Sequence, residues 1–196
     1  MEQKRLSNLM LLGNFICTLF YATSYPYIYA ETVKAVPRQF LGLEQILCCI
    51  STIIFCRLWN KYSDRLFNHY KKILWAEVIA DIILFSDVMI RGDLSFYFLL
   101  NILIYSLITR NLTCGGTKMR AKVNPTEKLR ERYDNNNQIV SATATLLGAG
   151  FAIICPLDLK ILFVFALIGN IVDNFFYLHI YNQIKRRDMN EKATCN

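Results

Sequence analysis

Residues 94–113 read LSFYFLLNILIYSLITRNLT, and the only charge among them is Arg110. At about 1.5 Å of rise per residue, a helix of this length matches the roughly 30 Å hydrocarbon core of a bilayer. A soluble core helix keeps a charged face; this stretch has none. Working outward in both directions, five more blocks of the same kind appear at residues 6–29, 40–59, 73–90, 138–155 and 159–181. The reading is an all-α integral membrane protein with six transmembrane helices, folded as a single membrane domain over residues 1–196.

Composition agrees. Apolar residues make up 54% of the chain, above the about 45–50% usual for soluble domains even when glycine is counted. That content excludes a disordered chain. Seven cysteines, most of them inside apolar runs, do not make a disulfide scaffold. The net charge of +7 is divided into short blocks between apolar ones, so no basic face is gathered for nucleic acid. Lys4 and Arg5 precede the first block as in a secretory leader. Its apolar stretch is too long for one and holds Asn14 and Thr18, so the segment is expected to be retained.

Basic residues set the orientation. They collect at Lys4 and Arg5, at Arg57, Lys61, Arg65, Lys71 and Lys72, along residues 115–137, and at Lys185, Arg186 and Arg187. Lysine and arginine accumulate in cytoplasmic connectors, which predicts both termini inside at a cell membrane and a cytoplasmic loop over 115–137. The tight turn at Arg91, Gly92 and Asp93 then lies outside. Together these features predict two three-helix units of opposite topology, an arrangement known from transporters.

Polar residues within the blocks are the candidate site. Asn14, Thr18, Tyr21 and Tyr25 share one face of the first span, and their bulk favours lining a wet cavity. Asp134, Gln138, Ser141, Thr145 and Gly148 form a comparable stripe at the fifth, where small residues favour close helix packing. Asn101 and Tyr105 lie in the fourth span, and Asn170, Asp173 and Asn174 in the sixth. Buried charges need a partner, water or neutralisation, at about 2.5–3.5 kcal/mol each on the insertion scale. Glu77, Asp81 and Asp87 lie in the third span, and Arg110 is expected to pair with Glu77, Asp81 or Asp173. Two roles stay open for these groups: an ion pair that holds helices together, or a carboxylate that carries a proton. No Cys/His spacing for a metal, no catalytic motif and no cofactor motif is present, so neither metal nor cofactor is expected, and the chain does not read as an enzyme.

Two stretches resemble the major facilitator superfamily. Trp59-Asn60-Lys61-Tyr62-Ser63-Asp64-Arg65-Leu66, followed by Lys71-Lys72, is similar to the family's Gly-x-x-x-Asp-Arg-x-Gly-Arg-Arg signature between helices two and three. Residues 119–130 are similar to its basic, Pro-containing stretch between helices four and five, and Arg110 stands where many members have an arginine. The departures are two missing signature glycines, two extra residues before Lys71, and no Pro beside Gly148 and Gly150 as in the antiporter motif. The resemblance covers the chain as the N-terminal six-helix half of a member. It implies a secondary transporter half that moves a small solute, with or without a coupled proton, by alternating access against a homodimer partner or a second six-helix chain. Under it, Asp64, Arg65, Lys71 and Lys72 form the conformational loop, and Asn14, Thr18, Tyr21, Tyr25, Asn101 and Tyr105 line the path. The competing expectations are a non-transporting membrane scaffold or immunity-type protein, and an inactive truncated transporter.

Overall fold

The computed structural model describes residues 2–155 and 157–194. Its helices are α1 (Glu2–Ala35), α2 (Arg38–Asn68), α3 (Tyr70–Arg91), α4 (Leu94–Ile104), α5 (Arg110–Val123), α6 (Glu127–Ile154) and α7 (Leu159–Thr194). A π-helical turn at Tyr105–Thr109 joins α4 and α5 into one rod. Among the described residues, α1, α2, the α4–α5 rod, α6 and α7 are long and apolar enough to cross a membrane. The expected span at 73–90 lies in α3, which has the length at 22 residues. It falls short on apolarity because Glu77, Asp81 and Asp87 crowd every stretch long enough to span.

The rods run beyond the expected spans at both ends. The connector expected after residue 59 is mostly helix: α2 continues to Asn68, with one non-helical step at Tyr62 (φ −123°, ψ 27°), and only His69 separates it from α3. Likewise, the expected loop over 115–137 is helical on both sides of a short turn at 124–126. Lys, Arg and Glu are good helix formers, and nothing interrupts them until Asn124-Pro125, where the ring of proline disfavours helical backbone at the residue before it. Thr126 then caps α6, its hydroxyl accepting from the Leu129 amide. The turn at 91–93 is as tight as expected. Gly92 takes the left-handed conformation (φ 68°), and the Asp93 carboxylate accepts from the amides of Ser95 and Phe96.

Packing is uneven. α1 lies along both α6 and α7, α3 packs on α7, and α2 packs on α5, while α1 touches the α4–α5 rod only lightly. The interior divides into two main clusters. One surrounds Phe67, Tyr70, Met119, Tyr133 and Ile180 at the end that carries the α5–α6 turn, called here the basic end. The other surrounds Leu84, Phe85, Tyr97 and Phe163 at the opposite end. Outside these clusters the surface is apolar: Ile90, Ile153 and Ile154 are 83%, 77% and 79% exposed. A water-soluble bundle turns such residues inward; a helix bundle surrounded by lipid has no reason to.

At the basic end, three lysines converge on one buried ring. The ammonium groups of Lys118, Lys122 and Lys185 lie 5.6–5.7 Å from the centre of Phe67. Lys118 also donates to Ser63 and Asp64 at 2.6 Å, Lys122 pairs with Asp188 at 2.8 Å, and Lys185 donates to Asn68. Of the expected conformational loop, Asp64 thus reaches α5, whereas Arg65, Lys71 and Lys72 are exposed. The Asp64 side chain is itself 96% exposed, and exposed ion pairs contribute about 0–1 kcal/mol. Asp64→Ala should therefore shift the apparent melting temperature only slightly, and less still at high salt, as followed by size-exclusion chromatography after heating.

Candidate functional site

A cavity of about 310 Å³ lies in the half of the bundle nearer the basic end. Its deep part is formed by Glu77 of α3 and by Asp173 and Asn174 of α7. Asn14 of α1 and Asn137 of α6 make the walls, with Tyr70, Tyr133 and Tyr177 around them. Thr113, Thr117 and Arg120 of α5 carry the lining up to the level of the α5–α6 turn, where the Arg120 side chain is 35% exposed. Small residues let the walls approach. At Gly13 a Cβ would stand 3.4 Å from an Asp173 carboxylate oxygen, and at Gly148 it would stand 2.5 Å from the Leu19 carbonyl oxygen.

Asn14 organises the α1–α6 wall. Its amide nitrogen donates to the Asn137 carbonyl oxygen at 2.9 Å and to the Ser141 hydroxyl at 2.8 Å, and its own carbonyl accepts from Thr18 at 3.4 Å. Ser141 thus belongs to the site. Of the rest of the expected α6 stripe, Gln138 and Thr145 are exposed, whereas Gly148 buries against α1, together with Ala144 and Ala152. A spacing of four places these three on one line of the helix. Asp134 sits above, paired with Arg120 at 2.8 Å.

The expected pairing of Arg110 is not present. Among the described residues, no ion pair joins Arg110 to Glu77, Asp81 or Asp173; its guanidinium lies 4.8 Å from the centre of the Tyr105 ring, and its Nε is buried without a hydrogen-bond partner. The cause is the π-helical turn just before it, in which the Arg110 amide donates to the carbonyl of Tyr105, five residues back. One extra residue in a turn rotates everything beyond it by about 100°. Thr109 consequently faces α3, its hydroxyl 3.4 Å from Glu77. The carboxylates are left in one another's company. Glu77 is close enough to act electrostatically on both Asp81 and Asp173. One oxygen each of Asp81 and Asp173 is buried with no hydrogen-bond partner. Asp87 is separate, bound to Arg91 at 3.1 Å near the far end of α3.

The other expected path residues lie outside the cavity. Tyr21 and Tyr25 stack with ring centres 4.4 Å apart, and Tyr105 neighbours both. Tyr21 and Tyr105 are 46% and 37% exposed, so this aromatic face looks outward where α1 meets α4. Asn101 is one turn before Tyr105 and does not line the cavity. Asn137 and Thr109 went unread in the sequence. Asn137 had a signal, since it stands four before Ser141 on the same helical face. Thr109 had none, because no sequence pattern announced the π turn. Compared with known proteins, the chain matches no protein-family model, no curated protein and no solved structure.

Proposed function

We propose that the chain is one half of a secondary membrane transporter, six helices crossing a cell membrane with both termini in the cytoplasm. The observation that carries this reading is the cavity: a polar, partly charged space inside an apolar bundle, reaching toward the basic end. At the opposite end the interior is filled by Phe85, Tyr97 and Phe163, whose ring centres stand 4.9–6.1 Å apart. A space extending to one face and blocked at the other is what one state of an alternating-access protein requires.

The helix pairing supports two inverted three-helix units. Exchange α1 with the α4–α5 rod, α2 with α6, and α3 with α7. The α1–α6 contact then maps onto α5–α2, α1–α7 maps onto the rod with α3, and α3–α7 maps onto itself; all of these contacts are present. In the two-half arrangement, the aromatic face of Tyr21, Tyr25 and Tyr105 meets a second half, a parallel copy of the chain or a separate six-helix polypeptide. The conformational role of Asp64, Arg65, Lys71 and Lys72 belongs to the same reading.

Site-directed crosslinking tests it. A cysteine in place of Tyr21, in a chain otherwise free of cysteine, should link in native membranes to a second half. The adduct should run near twice the 22.8 kDa of the chain. A chain that stays monomeric at every crosslinker length would overturn the two-half reading.

A further inference from the structure

We infer that the cavity receives a small organic cation, with Glu77 and Asp173 as its counter-charges; this rests on the transport reading above. The lining holds three charged side chains, Glu77, Asp173 and Arg120. Arg120 is already engaged by Asp134 at 2.8 Å, so the charge left to a solute is negative. Neither Glu77 nor Asp173 has an ion-pair partner among the described residues, and one oxygen of Asp173 is buried with nothing to accept from. Asp81, 5% exposed and one turn deeper on α3 than Glu77, adds a third carboxylate behind them.

Carboxylates held away from water favour whatever brings positive charge. An anion entering here would meet carboxyl groups that no cationic side chain among the described residues pairs with. A transition-metal ion fits poorly, because the described residues hold no group of three His, Cys, Asp or Glu placed to bind one. The volume of about 310 Å³ is that of a small-molecule pocket, at the lower end of about 300–1,000 Å³. Tyrosine surface around the carboxylates suits an organic cation further, since aromatic rings attract cations.

The test uses the full-length chain in lipid nanodiscs, its seven cysteines replaced by serine or alanine, with Thr113→Cys as a reporter in the cavity wall. Two thiol reagents of matched size are compared, a trimethylammonium-ethyl and a sulfonato-ethyl methanethiosulfonate, each normalised to its rate with a small free thiol. The cationic reagent should react about tenfold or more faster, the scale of electrostatic focusing in a charged cleft. Millimolar choline should slow the reaction, and its neutral isostere 3,3-dimethylbutan-1-ol should not. Combining Glu77→Gln with Asp173→Asn should bring the normalised ratio close to one. Equal normalised rates, or a reaction that choline does not slow, would overturn the cation assignment and leave the transport reading standing. If neither reagent reaches the cysteine, both fall.

Discussion

Gly115→Ala is expected to destabilise the protein severely, although alanine is the better helix former. A Cβ at this position would lie 2.0 Å from Cε2 and 2.3 Å from Cδ2 of the Tyr70 ring. That ring borders the cavity on one side and is held on the others. It is 1% exposed, its hydroxyl donates to the Leu112 carbonyl at 3.0 Å, and Trp59, Phe67 and Tyr181 surround it at 6.0–6.2 Å between ring centres. Tyr70 also opens α3 directly after the single residue that follows α2, so moving it strains the corner between two rods. Overpacking costs about 1–3 kcal/mol and occasionally more; the alanine helix preference returns only about 1 kcal/mol. The variant should aggregate or melt far below the parent in detergent. Pairing it with Tyr70→Leu should cost less than the sum of the two single changes, the sign of a direct contact. Strict additivity would mean the two residues do not touch.

The second large effect separates two glycines that stand two residues apart. Gly148 meets the Leu19 carbonyl oxygen of α1, a backbone atom, at 2.5 Å from its would-be Cβ, with Thr23 Oγ1 at 3.0 Å; Gly150 has nothing within 4 Å. Gly148→Ala must push α1 off α6 and should cost about 1–3 kcal/mol. Thr23, whose hydroxyl donates to the Leu19 carbonyl at 2.8 Å and lies 3.3 Å from the Gly148 carbonyl, is displaced with it. Gly150→Ala should be neutral or stabilising by up to about 1 kcal/mol. Thermal stability of the two purified variants decides the matter; equal losses at both positions would rule out the close α1–α6 crossing.

How much of this was legible in the chain depends on the kind of signal. Apolar length is visible without any partner, so the rods and the tight Gly92 turn could be read directly. Helix ends could not, because the basic segments of α2, α5 and α7 are helical for reasons of propensity and packing rather than hydropathy. The third span was recognisable only in part, since the three carboxylates that weaken it as an apolar segment are also what marks it as the place to look. Asn14, Glu77, Asp173 and Asn174 stood out as polar groups in apolar surroundings, and all four meet at the cavity. Arg110 stood out equally and is turned away, because one extra residue in a single turn reassigns faces in a manner that periodicity cannot show. Tyr21 and Tyr25 stack as a shared helical face implies, with Tyr105 of the neighbouring rod beside them, but on the outside of the bundle.

The unequal helix contacts have a mechanical consequence. α1, α6 and α7 are bound along much of their length, α2 and α5 form a second pair, and the line between α1 and the α4–α5 rod is thinly joined. Fluctuations break least along that line, which makes it the compliant joint of an otherwise stiff body. Asn14, Asn137 and Asp173 lie to one side of the joint and Thr109, Thr113 and Thr117 to the other. A shear of a few ångströms there, with α3 sliding on one of its two neighbours, would therefore widen or narrow the space between them.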